Sequence, residues 1–597
     1  MAPGFSKSVV RDDITVRLAG ESGEGVISGG DILTTGAART GYWALTFRTY
    51  PAEIKGGPCM YQVRVGVNEV RSQGNAVDLL MCFNQEAFDL HHHELAPDGH
   101  IVCDAESVRV TPEFESRSSE VPLGGLAQEA GGSRRGKNMV AVGLVCGLLG
   151  IDTHKIEQMI LKRYAHKGDV GEANIRSLLA GVEHANGTLP ASAHKLQPPA
   201  SEQDQRVLLS GNQAICLGAL HAGLNYYAGY PITPASDILE WLAGRLPRFG
   251  GVAIQTEDEI AALASVLGAS FAGKKAMTAT SGPGLSLMAE LVGLAGMAEI
   301  PAVIVDAQRS GPSTGMPTKT EQSDLNHALY GGHGEAPRVV MAPTSVEDCF
   351  GVIIEAFNAA ERYQVPVLML SDQSLSHRME TVRRPDPAAY EVVERVRPGG
   401  DLNGGYRRYE ISDGAVSPMS IPGEAGAYVS TGIEHDEAGN PHYEPELHEA
   451  MMAKRFRKLE PLVRESRITF TGPETADVGI LGWGSTEGAA VEAAELCLDR
   501  GIKVSTCYPR VLGPLPVDRI RRWASGMDRI IVPELNVTGQ FARLVRADAG
   551  LEVESVTKAT GLPFTARQIA DYITDRVQPL DDSGVWEAGV TGEARVG

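Results

Sequence analysis

The sequence contains no run approaching the eighteen or so uninterrupted apolar residues that a membrane-spanning helix needs. It has no basic excess either: the formal net charge is −21, which excludes nucleic acid as a major partner. Its eight cysteines include no CxxC pair, so neither a zinc site nor a cysteine-ligated cluster is readable. Reduced, buried thiols are the expectation. The opening stretch MAPGFSKSVVRDD has no apolar signal core, and a cytoplasmic location is expected. The glycine-rich turns GESGEG (20–25) and GWGSTEG (482–488) both miss the G-x-G-x-x-G spacing of a dinucleotide site. The consecutive histidines His91 to His93 read as a solvated loop, because three neighbours cannot all face one ion.

What is present is a long α/β chain. At 597 residues with 43% hydrophobic content it has room for three or four domains. Residues 1–190 read as a first α/β unit, with strands at ITVRLAG, CMYQVRVG and DLLMCF. Helices follow from about Val26 to Thr40 and from Lys137. The stretch 191–205 is proline-rich, polar and aperiodic, and reads as a linker. A second α/β unit, 206–395, alternates strands such as AVIVDA and VPVLMLSD with helices, as a parallel sheet requires. Residues 396–465 read as irregular, and a third unit, 466–597, opens at ADVGILGWGSTEG.

The most informative stretch is 254–284, IQTEDEIAALASVLGASFAGKKAMTATSGPG. It reads as a strand, a helix of small residues, a second strand and a glycine-rich turn. Thr256 and Glu259 form a T-x-x-E capping box, so Glu259 either caps the helix or presents its carboxylate to a ligand. Gly268, costly inside a helix, points to close backbone packing.

This block resembles the pyrimidine-binding domain of thiamine diphosphate enzymes, where a glutamate nine residues before a helix glycine hydrogen-bonds the aminopyrimidine ring. Such enzymes hold the diphosphate and magnesium with GDG and a later Asn. The nearest string here, GDVGEAN at Gly168, lacks the second glycine and the spacing. Half of the site is therefore expected on a second polypeptide.

The whole order of motifs resembles the α subunit of the 2-oxoacid:ferredoxin oxidoreductases, most closely those acting on 2-oxoglutarate, with a γ-type domain fused in front. The markers are GYPITPASDILE (229–240), the Glu259 block, QRSGPSTGMPTKTEQSDL (308–325), GGHGEAPRVV (331–340) and PELNVTGQ (533–540).

The resemblance implies three α/β domains: γ-type, pyrimidine-binding and transketolase C-terminal-like. It makes Glu259 the catalytic residue, with Pro231, Ile232 and Glu259 against the cofactor. Tyr230, Thr233, Arg309 and Thr314 would lie around the 2-oxoacid. Arg309 can either bind the acid's carboxylate with its planar fork or form an exposed ion pair. The loop Ser313, Thr314, Thr318, Lys319, Thr320 either lines the pocket or supports Arg309. Lys55 and Lys137 are candidates for acid or coenzyme A contacts, or are surface lysines. A β subunit would bring Mg²⁺ and a [4Fe–4S] cluster in an (αβ)₂ heterotetramer that reduces ferredoxin and can run toward CO₂ fixation. Where the family's γ-type loop often has Gly-Gly-Gln-Gly, this chain has Gly20-Glu21-Ser22-Gly23-Glu24-Gly25. The added acids disfavour phosphate binding there. Pyruvate, branched-chain and aryl 2-oxoacids are alternative substrates, and a non-catalytic scaffold subunit is the other class of reading.

Overall fold

Alternating apolar residues make ITVRLAG and CMYQVRVG neighbouring antiparallel strands, Asp13–Glu21 and Pro58–Gly66, at the centre of an eight-stranded sheet. The computed structural model describes residues 9–51, 56–189, 194–199, 205–399, 402 and 405–577. The final twenty residues, whose sequence reads as a frayed end, lie outside these residues. Against the first sheet pack the helices Val26–Thr40 and Lys137–Leu149. Lys137–Leu149 is apolar on every side because the helix Val170–Gly187 covers it. Gly143 makes that approach possible, since an added Cβ would lie 1.9 Å from the Leu178 carbonyl oxygen. The three histidines close a short helix instead of lying in a loop. His91 faces Arg17 and Glu94, His92 stacks on Phe88, and His93 meets His92 edge-on, so each ring has a local structural contact.

The first sheet also recruits strands from beyond the linker. Arg206–Ser210 pairs antiparallel with Met379–Arg383, which in turn pairs with Trp43–Thr49. The strands that lead into and out of the second unit thus complete the first unit's sheet, covering an edge that would otherwise stand open. Within the linker, His194–Leu196 forms a small parallel pair with Val9–Arg11.

The second unit is a seven-stranded sheet whose strands Tyr226–Gly229, Val252–Gln255, Ala276–Thr280, Ala302–Gln308, Val339–Met341 and Pro366–Asp372 are all parallel. The third unit lends Val511–Gly513 as an antiparallel edge strand. The two units share one apolar core, in which Leu263, Met288 and Ile304 meet Leu481, Trp483 and Phe541.

The segment expected to be irregular differs at its end: Pro445–Arg457 and Glu460–Glu465 are helical. A run rich in charge conceals that helix, because several of its cations are buried. Lys454 and Lys458, both fully buried, reach Glu299 at 2.6 and 3.0 Å, and Arg408 donates to the Glu299 carbonyl at 2.7 Å. Burial lowers Lys458 to about 8, although Glu299 favours its charged form. Removing one partner of a buried ion cluster strands the others. Glu299→Gln is accordingly expected to lower unfolding stability by about 3 kcal/mol or more, measured by chemical denaturation of the purified chain.

Candidate active site

The carboxyl ends of the parallel strands are where open α/β sheets gather ligand-binding groups, and the singled-out residues of the second unit collect there. Tyr226–Gly229 runs into the Tyr230–Pro234 turn, Ala276–Thr280 into SGPG, and Ala302–Gln308 into Arg309.

Glu259 is the first residue of the helix Glu259–Phe271, but it does not cap it. The cap is Asp258, whose side chain accepts from the Ala261 amide at 2.7 Å, while Thr256 Oγ1 donates to the Asp258 carbonyl at 3.0 Å. The T-x-x-E reading therefore gives way to a local Asp cap, and Glu259 is released from that duty. Its side chain is only 6% exposed and has no hydrogen bond among the described residues. A carboxylate so enclosed is costly without a donor. Opposite it, Gly284 lies so close that an added Cβ would fall 2.6 Å from Glu259 Cγ and 2.0 Å from Thr280 Oγ1. The SGPG turn itself begins the helix Gly282–Met297. Thr278 Oγ1 and Ser281 Oγ are buried nearby in the sequence without partners.

Gly268 corrects the sequence reading: an added Cβ would meet nothing within 4 Å, so no close packing inside this chain requires that glycine.

The structure brings Arg309 and Thr233 together. Arg309, 8% exposed, donates from Nη1 to the Thr233 carbonyl at 2.8 Å, and its Nε is buried with no acceptor. Burial lowers the guanidinium's pKa, while nearby Asp324 opposes that shift. Asn212 Nδ2 holds the Pro234 carbonyl at 2.9 Å and fixes the same turn. Pro231 and Tyr230 are exposed there, and Ile232 and Thr233 are half-buried.

The loop after Arg309 closes on itself. Ser310 N donates to the Lys319 carbonyl at 3.0 Å, and Met316 N to the Ser310 carbonyl at 3.0 Å. Thr314 stands exposed at its tip and is not joined to Arg309 by any hydrogen bond among the described residues. Thr318 Oγ1 donates to the Tyr50 carbonyl at 2.9 Å, and burial lowers Lys319. Lys55 lies outside the described residues. Lys137 is engaged: its Nζ is 2.5 Å from Glu24 Oε1 and 5.4 Å from the centre of the Phe83 ring.

Sequence reading missed several neighbours. Tyr50 Oη contacts His377 Nδ1 at 2.9 Å, and His377 Nε2 lies 3.5 Å from Asp237, linking the first unit to the Thr233 turn. Burial drives His377 down to about 3, with Arg48 adding to the effect, so the ring is neutral at ordinary pH. Asp306 and Asp324 are both buried carboxyls with unpartnered oxygens that act on one another, and Asp324 also acts on Arg309. A carboxylate at the end of the otherwise apolar strand AVIVDA was the available signal. Among the described residues, no three His, Cys, Asp or Glu side chains converge as a metal site, and all eight cysteines are buried and free.

A buried carboxylate beside a glycine and a part-free arginine fork stand at one end of the parallel sheet, an arrangement that suits a polar heterocycle and an acid. Comparison with known proteins gives the class. Residues 217–454 match the family "Pyruvate flavodoxin/ferredoxin oxidoreductase, thiamine diP-bdg", and residues 15–184 match "Pyruvate ferredoxin/flavodoxin oxidoreductase". The chain is 33% identical to the 2-oxoglutarate oxidoreductase subunit KorA of Mycobacterium tuberculosis, across 94% of this chain and 91% of that one. It is 39% identical to the 2-oxoglutarate synthase subunit KorA of Archaeoglobus fulgidus, across 59% of this chain and 93% of that one. Among solved structures it superposes on the 2-oxoglutarate:ferredoxin oxidoreductase of Magnetococcus marinus with TM-score 0.91 and 40% identity. That match covers 95% of this chain and all of the other, which was solved with 2-oxoglutarate, coenzyme A and succinyl-CoA bound. The chain belongs to the 2-oxoacid:ferredoxin oxidoreductase family, as an α subunit carrying a γ-type domain.

The Gly284 cradle is directly testable. Gly284→Ala is expected to weaken thiamine diphosphate binding about tenfold or more while leaving the circular dichroism spectrum unchanged, since overpacking costs about 1–3 kcal/mol. Titration calorimetry on the assembled enzyme reads the change.

Proposed function

We propose that this chain is the α subunit of a thiamine diphosphate-dependent 2-oxoglutarate:ferredoxin oxidoreductase. The complete enzyme converts 2-oxoglutarate, coenzyme A and oxidised ferredoxin to succinyl-CoA, CO₂ and reduced ferredoxin, and runs in either direction. The observation that carries this reading is the enclosed, unpartnered Glu259 carboxylate against Gly284. The similarity to an enzyme solved with 2-oxoglutarate, coenzyme A and succinyl-CoA supports the choice of substrate.

When bound, thiamine diphosphate supplies the nucleophilic carbon and the electron sink that decarboxylation of a 2-oxoacid requires. The residues here fit its aminopyrimidine end: Glu259 offers an acceptor with no donor among the described residues, and Gly284 lets the SGPG turn close against it. Glu259 holds or releases a proton at its carboxylate, and its dry setting strengthens that hydrogen bond. Arg309 presents the unused part of its fork to the acid's carboxylate, and the Thr233 turn orients it. Tyr230 borders the acid from the exposed side, and Thr314 would join it only when the loop is covered by a partner.

The diphosphate, its Mg²⁺ and a [4Fe–4S] cluster are assigned to a β subunit, in an (αβ)₂ assembly that passes electrons to ferredoxin. No helix among the described residues is long and apolar enough to cross a membrane. Lys137 is held by Glu24, and Lys55, in the EIKGGP stretch, is the other lysine proposed for the second carboxylate of 2-oxoglutarate.

Two measurements check this reading on the reconstituted αβ enzyme. Glu259→Gln should cut 2-oxoglutarate-dependent ferredoxin reduction by about 10²–10⁴-fold, the usual worth of a positioned acid–base group. Unchanged turnover would instead mark the chain as a scaffold. Across a panel of 2-oxoacids, kcat/KM should be highest for 2-oxoglutarate. A higher value for pyruvate or a branched-chain or aryl acid would reassign the substrate without changing the chemistry.

A further inference from the structure

Asp306 sits at the end of the strand Ala302–Gln308, fully buried, and neither of its carboxyl oxygens has a donor among the described residues. The charged group acting on it is the carboxyl of Asp324, whose Oδ2 is likewise buried and without a partner among the described residues. Two buried, unpartnered carboxyls that act on one another cannot both be ionised at low cost, so the pair holds a proton. The backbone fixes the pair: Gln308 Oε1 accepts from the Asp324 amide at 3.1 Å, and Gln308 Nε2 donates to the Ser371 carbonyl at 3.0 Å. Gly282, first residue of the sixteen-residue helix Gly282–Met297, abuts Asp324 so closely that an added Cβ would lie 2.8 Å from its Oδ2. The positive end of that helix favours placing the negative charge on Asp324 and the proton on Asp306.

We propose that Asp306 and Asp324 share one proton beside Arg309 and take up a second when a 2-oxoacid carboxylate docks there, so that substrate binding is proton-linked. This inference rests on the reading of Arg309 as the carboxylate anchor. Arg309 makes no ion pair with Asp324 but feels its charge. A direct bridge would occupy the fork, whereas a counter-charge one step away makes a buried guanidinium tolerable and leaves its N–H groups open. An arriving carboxylate adds a second negative charge to the enclosure, and the pair relieves it by binding a proton. The other charged groups acting on the pair are Arg309 and Glu321, whose carboxylate accepts from the Ser310 hydroxyl at 2.9 Å. Burial raises Asp324 to about 6, with Glu321 adding to the rise and Asp306 and Arg309 opposing it, and Asp306 lies well above its ordinary range. The second proton site is thus largely empty at neutral pH and within easy reach. Because the folded state binds this proton more tightly than the unfolded chain does, its contribution to stability is full at low pH. It is lost as pH rises through about 6.

The test uses the assembled enzyme and 2-hydroxyglutarate, an unreactive analogue that keeps the carboxylate. Calorimetric titration in buffers of different ionisation heat is expected to show proton uptake, and affinity is expected to fall about tenfold from pH 5.5 to pH 8. Asp306→Asn, which still donates to Asp324, should retain both signatures. Asp324→Asn should abolish the uptake and flatten the pH profile. The infrared spectrum of the wild-type enzyme should contain a buried protonated-carboxyl band that Asp306→Asn removes. Absence of proton uptake in the wild-type enzyme overturns the proposal even where Asp324→Asn does not fold. If Arg309→Lys binds the analogue as tightly as wild type, the anchor reading itself falls. If Arg309→Lys binds weakly and uptake is absent, only the proton linkage falls.

Discussion

An enclosed carboxylate with nothing to bond to is an unstable thing for a protein to keep, and much of the second unit is arranged around keeping Glu259 that way. The helix that begins with it is capped by Asp258, so no amide of the first turn draws the Glu259 side chain aside. The other end of the same helix is held from outside: Arg395 donates to the Ser270 carbonyl at 2.6 Å while gripping Glu361 with two nitrogens at 2.7 and 2.8 Å. With both ends fixed, the helix holds the carboxylate at the sheet's carboxyl end instead of letting it swing away.

Other contacts on the second unit come from the stretch 396–465 and from the third unit. The former drives buried cations onto Glu299 at the back of the sheet. The latter is stapled to the loop after Arg309. Gln322 bonds to the backbone of Leu535 and Trp483, Gln540 to Ser323 and Asn326, and Ser485 to Asp372. Glu534 in turn accepts the amides of Phe541 and Ala542 and the side chain of Asn536. The motifs TEQSDL and PELNVTGQ, about 210 residues apart in the chain, are therefore two sides of one joint. The joint ties the end of the Arg309 loop to the third unit.

The parallel sheet, its strands and the place of Glu259 were legible because buried strands show as continuous apolar runs and glycine turns mark their ends. The helix Val26–Thr40 was readable for the same reason. The capping box misled because Asp258 competes locally with Thr256 for the helix start, a choice that spacing alone does not decide. The helix Pro445–Arg457 was hidden because its buried face carries Lys454 and Arg455, cations that look solvated until Glu299 and Glu434 are placed opposite them. The Asp306–Asp324 pair was half legible: Asp306 stands out at the end of an apolar strand, but eighteen residues and a closed loop separate it from Asp324, and only the folded chain brings the two together.

The crossing of the first sheet by strands from beyond the linker has a further consequence. Arg206–Ser210 and Met379–Arg383 act as a tenon seated in the mortise of the amino-terminal unit. A version of this protein divided into two genes at the linker would have to rebuild that joint between separate polypeptides, by strand addition across a subunit boundary. Fusion in a single chain makes the same joint intramolecular and independent of concentration.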